Sequence, residues 1–223
     1  MSLFAIADTH LSFASNKPMD DFEGWFNYTD RLKENWNKIV DDKDYVVIAG
    51  DISWAMNFDE LKADFDYINQ LNGKKIILKG NHDYWWNTMS KMNKFIEENN
   101  FNTISILHNN AFDFDDFSVC GSRGWFFDSD EEQNEKVLNR EVMRIKASIE
   151  SALNCEKIVF LHYPPVYENQ CCEEIVSLLK EKGIKKCYYG HIHGVAAKYA
   201  FDDNYDGIDF KLISADRLDF MPL

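Results

Sequence analysis

KKIILKGNHD, Lys74 to Asp83, changes character halfway along. KKIIL ends in a continuous apolar run, the pattern of a strand buried on both faces. Where the run stops, Gly80, Asn81, His82 and Asp83 follow in a row. A tight turn has a use for Gly-Asn. It has none for His-Asp beside it. The stretch predicts a strand that opens into a site rather than into a plain loop.

Outward from this stretch the same pattern recurs. Apolar, strand-like runs are predicted at LFAIA (3–7), YVVIA (45–49), KIILK (75–79), TISIL (103–107), KIVFL (157–161) and KCYYG (186–190). Helical spacing lies between them. Leu32, Trp36, Ile39 and Val40 share one face, as do Phe58, Leu61, Phe65, Ile68 and Leu71. The longest candidate helix covers roughly 131–153, with Leu138, Val142, Ile145, Ile149 and Leu153 on one side. FDFDDFSVCG (112–121) reads as a hairpin around Asp115-Asp116, and a second hairpin joins AAKYAF to IDFKLI across DDNYDG. The expected class is α/β with a mixed sheet or two packed sheets. The length of 223 residues suits one domain, 1–223.

Polar blocks follow five of these runs: Asp8-Thr9-His10, Gly50-Asp51, Gly80 to Asp83, His162, and Gly190-His191-Ile192-His193. Ligands of α/β sheets bind at the carboxyl ends of strands. Five of the six histidines fall in these blocks. Asp, Asn and His offer oxygen and imidazole donors with no thiolate, a set suited to Mn, Fe, Zn, Co or Ni. The donors outnumber what one ion needs, which points to two ions sharing a carboxylate.

This order of blocks resembles the calcineurin-like metallophosphoesterase superfamily. The resemblance spans positions 8 to 193. More narrowly, GDISWAM, KGNHDYWW, GSRGW and LHYPP resemble a group of bacterial phosphohydrolases of unassigned substrate. It implies a four-layer α/β/β/α sandwich of two mixed sheets flanked by helices. It implies one divalent ion on Asp8, His10, Asp51 and His193, and a second on Asp51, Asn81, His162 and His191. Two such ions and two carboxylates leave a site of roughly +2, able to hold a phosphate. The implied reaction is in-line attack on a phosphate mono- or diester by a hydroxide bridging the two ions. His82 is implied as the general acid that protonates the leaving oxygen.

The sequence departs from the phosphatase pattern G-D-x-x-D-R-G at Trp54, which stands where the second Asp would orient the catalytic His. The Arg after it is missing too, so protein substrates lose support. Asp83 either supports His82 or shapes the turn. Arg123, in CGSRGW, either contacts phosphate or packs. Arg140 and Arg144 are expected in surface ion pairs, and His108 matches no motif. Trp85 and Trp86 either line the site and meet the substrate or pack the loops. The long loop 11–30 is expected to rim the site.

Composition bounds the partners. Hydrophobic residues make up 45% and charged residues 28%, and net charge is −14. Such a surface repels nucleic acid and anionic lipid, so the substrate is expected to be a small phosphorylated molecule. Oligomeric state is left open. MSLFAIADTH lacks a basic start and carries Asp8, so no leader or membrane anchor is expected there. Five cysteines without a CxxC pair suggest free thiols and a cytoplasmic setting. The alternatives are a metal-dependent nuclease and a non-catalytic scaffold of the same fold.

Overall fold

All six apolar runs form strands in the computed structural model, which describes residues 1–125 and 135–223. The first half runs β1 (Leu3–Ile6), α1 (Tyr28–Ile39), β2 (Tyr45–Ala49), α2 (Phe58–Gln70), β3 (Lys74–Leu78), α3 (Met89–Glu98) and β4 (Ile104–Ile106). The second half runs β5 (Phe112–Asp113), β6 (Phe117–Ser122), α4 (Glu135–Ser151), β7 (Glu156–Leu161), β8 (Val166–Tyr167), β9 (Gln170–Cys171), α5 (Glu173–Glu181), β10 (Lys186–Tyr189), β11 (Asn204–Tyr205) and β12 (Ile208–Leu212).

β1 to β4 form one sheet in sequence order, and every pair in it is parallel. That sheet is therefore not mixed as expected. Each of its connections carries a helix, and a helical crossover returns the chain in the same direction. The six-stranded sheet, ordered β11-β12-β10-β7-β6-β5, is mixed, because hairpins close both edges.

Alternation along the strands builds the layers. Val46 and Ile48 face one core with Trp36, Leu61, Phe65 and Phe95 of the three helices. Val47 and Ala49 face the other way, into a core shared with Val119, Ile158 and Phe160 of the second sheet. Val159 and Leu161 then point outward to Ile145, Ile149 and Leu179 of α4 and α5. Helix, sheet, sheet and helix are thus stacked through three apolar cores. At about 25 cal/mol per Å² removed from water, this burial is the main force holding the layers.

Two local expectations change. The hairpin at 112–121 forms, but AAKYAF does not make the first arm of the second one. Gly194–Tyr199 is a 3₁₀ helix, and β11 pairs β12 through the Asp206-Gly207 turn. Both turn residues have positive φ, 52° and 84°, as a two-residue hairpin turn requires. Helix α4 ends at Ser151 and leaves Leu153 85% exposed; positions 131–134 of the expected helix lie outside the described residues. Among the described residues, no helix is long and apolar enough to cross a membrane. All five cysteines are unpaired.

The C-terminal segment ties the sheets together. Ile213 accepts from the amide of Ala7 at 2.8 Å, and its own amide bonds Tyr189 at 2.8 Å. This lays residues 213–215 across the strand ends where the polar blocks gather.

Candidate metal centre

The ends of β1, β2, β3, β7 and β10 bring the five polar blocks to one place. Ligand atoms of Asp8, His10 and Asp51 lie within 4.8 Å of one another, and so do those of Asp51, His162 and His191. Asp51 belongs to both groups. Asn81 Oδ1 sits 2.6 Å from His162 Nε2 and 3.0 Å from His191 Nδ1, which places it in the second. The His193 ring lies 5.3 Å from that of His10, on the side of the first.

The backbone is bent to make this possible. Asp8, His10, Asp51 and His191 all have positive φ, 57°, 43°, 49° and 69°. Non-glycine residues in that region cost roughly 1–3 kcal/mol each and cluster at functional sites. Glycine is required beside them. A Cβ on Gly80 would overlap Asp51 Oδ1, and one on Gly190 would lie 2.7 Å from Asp8 Oδ2. Glycine alone lets these loops close on the carboxylates.

Hydrogen bonds then aim each donor. His162 Nδ1 faces the Ala49 carbonyl at 3.1 Å. A proton on Nδ1 satisfies that carbonyl and leaves the Nε2 lone pair for the centre. Asp8 Oδ2 accepts from the His191 amide at 2.9 Å and lies 2.8 Å from Ser214 Oγ. Ser214 was not singled out in the sequence. It ends the segment after β12, so the strand-end rule that located the histidines also applies to it.

The electrostatics of the cluster suit a bound cation. Burial, reinforced by Asp51, raises the Asp8 carboxyl well above its ordinary range. Burial lifts Asp51 to about 6. Burial pushes the imidazole of His162 down to about 3 and holds that of His10 far below its usual value. Both ring nitrogens of His10 are buried without a hydrogen-bond partner. Orphaned buried nitrogens are costly and rare. Neutral imidazoles beside carboxylates that lack a counter-charge are the state a divalent ion binds. The residues present therefore fit divalent metal with oxygen and nitrogen ligands.

The residues around the ligands divide by what they touch. His82 is half-buried; its amide bonds Asp51 Oδ1 at 2.8 Å and its Nδ1 lies 3.1 Å from Tyr84 Oη. Trp54 packs against the His82 ring at 4.5 Å and stacks on His10 at 4.9 Å, with Lys17 over its indole at 4.3 Å. An indole thus holds His82 by packing at the position where the phosphatase pattern has an Asp. Asp83 does not face His82. Its carboxylate accepts from the amides of Gly80 (2.7 Å), Ile52 (2.9 Å), Asp51 (3.0 Å) and Ser53 (3.3 Å). It clamps the two ligand loops together.

A cleft of about 680 Å³ opens over His10, His82 and His193. Met19, Phe22 and Trp25 of the long loop form one wall, as expected of a rim. Trp85 is not in that wall. It is 2% exposed and packs edge-on against Phe65, because its loop turns back under the helix layer. As a substrate contact it is therefore corrected to a core residue. Trp86 and Arg123 line a separate pocket of about 260 Å³. The Arg123 carbonyl accepts from the amides of His162 and Tyr163, at 3.1 and 2.9 Å, so the residue abuts the centre. Arg144 is not in a surface pair: its partner, 2.6 Å away, is the fully buried Glu141.

The profile of the calcineurin-like phosphoesterase family matches residues 1–195. An uncharacterised protein of Methanocaldococcus jannaschii is 35% identical over 86 residues, 36% of this chain and 46% of that protein. The match spans less than half of that relative's length. A protein of unknown function from Aquifex aeolicus has a similar structure, with a TM-score of 0.52 and 15% identity over 100% of this chain and 95% of the other. A phosphopantetheinyl hydrolase of Mycobacterium tuberculosis gives 0.54 and 16% over 95% and 88%. At such identities the structures speak to the fold alone. The family profile covers most of the chain and contains every candidate ligand, and on that ground the chain belongs to the calcineurin-like phosphoesterase family, whose members are metal-dependent phosphoesterases.

Proposed function

We propose that the protein is a two-metal phosphoesterase that hydrolyses a small phosphate mono- or diester. The observation that carries this reading is His10, whose two buried nitrogens have no hydrogen-bond partner inside a cluster of Asp and His side chains. Asp8, His10, Asp51 and His193 would hold one divalent ion, and Asp51, Asn81, His162 and His191 the other. Ions bound there supply a nucleophile at neutral pH and polarise the phosphoryl oxygens.

The chain's own residues do the rest. Asp51, common to both ligand groups, fixes their separation. Ala49 and Ser214 orient His162 and Asp8, so no ligand has to reorganise when the ester binds. His82 gives its Nε2 proton to the leaving oxygen, while Tyr84 on Nδ1 and Trp54 on the ring face hold it toward the cleft. The aromatic wall excludes water from the leaving group, and Arg123 adds positive charge beside Asp51. The −14 net charge favours small substrates over nucleic acid.

Hydrolysis of p-nitrophenyl phosphate and bis-p-nitrophenyl phosphate, with and without Mn2+, tests this reading. Metal-dependent turnover of at least one ester is expected. Its absence at saturating metal sinks the reading, and the ratio of the two rates separates monoesterase from diesterase.

A further inference from the structure

The cleft over the centre changes character along its length. His10, His82 and His193 line it at the cluster. Trp25 continues from them, its ring 5.8 Å from that of His10 and 6.3 Å from that of His193. Further out, Phe22 is 60% exposed and Val195 71% exposed, and both line the same cleft. Phe22 belongs to the long loop after β1, and Val195 to the 3₁₀ helix that follows His193. Two segments far apart in the chain thus hold large apolar side chains in water at one opening. Apolar groups gathered at a concave site are the mark of a surface that a ligand covers.

The polar groups of the outer cleft favour no second charge. Asp216 accepts from the amides of Gly194 at 2.6 Å and Arg217 at 2.9 Å. Glu23 and Lys198 line the cleft but are exposed, as is Lys17 over the Trp54 indole. Two ammonium groups therefore stand against two carboxylates, with no surplus of either sign among these lining groups. The Trp54 N–H points at Met19 Sδ, 3.3 Å away, and its ring stacks on His10, so this indole offers packing rather than a hydrogen bond. What the outer cleft presents to a ligand is mainly apolar surface.

We propose that the outer cleft is an apolar subsite for the alcohol portion of the ester. The phosphate lies at the Asp and His cluster, and an apolar group extends from it past Trp25 to Phe22 and Val195. His82 lines the same cleft, which puts the leaving oxygen where the cluster meets the apolar walls. The volume of about 680 Å³ lies within the range of sites that enclose small organic ligands. The substrate class is then a phosphoester of an apolar alcohol rather than of a sugar or polyol. This rests on the phosphoesterase reading above and narrows it.

Alkylphosphonates, which carry the chain of the alcohol but cannot be hydrolysed, test the inference. Ethylphosphonate and hexylphosphonate are compared as competitive inhibitors, with Mn2+, of whichever p-nitrophenyl ester turns over. Both carry the same anionic group, so their inhibition constants differ only by the chain. Each methylene taken from water is worth about fourfold at most, so hexylphosphonate is expected to bind about tenfold tighter or more. In Phe22→Ser and Val195→Ser that ratio falls toward one. In Leu153→Ser, which removes an 85% exposed side chain just past the end of α4, it is unchanged. Thermal unfolding checks that all three variants fold. A ratio near one in the wild type, or one that both rim variants leave unchanged, overturns the subsite while the phosphoesterase reading stands. A ratio near one together with self-association that Phe22→Ser abolishes assigns the rim to a second copy of the chain and likewise overturns it. Failure to hydrolyse either p-nitrophenyl ester overturns the phosphoesterase reading and the subsite with it.

Discussion

His10 is the residue that a metal-free interior explains least. Each of its unbonded nitrogens costs roughly 1–3 kcal/mol in the fold. Replacing it by an apolar side chain removes that cost along with the ligand. His10→Leu is therefore expected to unfold at equal or higher urea than the wild type when both are in chelator, yet to hold less metal. A clear loss of stability in chelator would count against the ligand role. His82→Ala makes the complementary case. It should keep its metal and lose about 10²- to 10⁴-fold in kcat on esters with poor leaving groups, with a smaller loss on p-nitrophenyl esters. Equal losses on both would remove the general-acid role. The ligand candidates were legible in the sequence because Asp, Asn and His are conspicuous after apolar runs. Ser214 was not, since a lone Ser after a strand carries no chemical signature. The burial of Trp85 was not legible either, because a loop side chain points wherever the loop folds back.

Loops joined to loops decide whether the centre forms. The carboxylate of Asp83 gathers four amides from two connections that lie thirty residues apart in the chain. Asp83→Ala would leave those amides buried without an acceptor, at a cost of about 3 kcal/mol or more. Urea unfolding reads this directly, and a change under about 1 kcal/mol would show that the clamp carries little. Gly80→Ala drives a Cβ into Asp51 and should abolish metal retention even if the chain folds. Strand positions were legible from their apolar runs, because burial on two faces admits few other residues. The first arm of the second hairpin is not legible. AAKYAF alternates poorly, and the Asp206-Gly207 turn, five residues past its end, is the stronger signal. The parallel first sheet follows from the helices between its strands, a constraint of connection rather than of composition.

Across the whole molecule, two stacked sheets bring together the candidate ligands from positions 8 to 193, so metal binding there would be linked to folding. Burial raises Asp8, Asp51 to about 6 and Asp83 to about 7. Carboxyls raised in the fold contribute stability below their unfolded value near 4 and lose it as pH rises through about 6 to 7. His10 and His162, held neutral by burial, act in the opposite sense over the same window. Metal binding needs carboxylates ionised and imidazoles neutral, so the gain in melting temperature with Mn2+ over chelator is expected to grow from about pH 5 to 7. At a metal concentration of ~100 Kd, one site adds about 2.7 kcal/mol, or roughly 5–10 °C for a chain of this size. An identical pH profile with and without metal would contradict the linkage. The two-metal centre itself is tested most directly by titrating chelator-stripped protein with Mn2+ while following bis-p-nitrophenyl phosphate hydrolysis. The account predicts no turnover at zero metal and a rate that levels off at two equivalents per chain. Turnover without metal, or none at saturation, would contradict it.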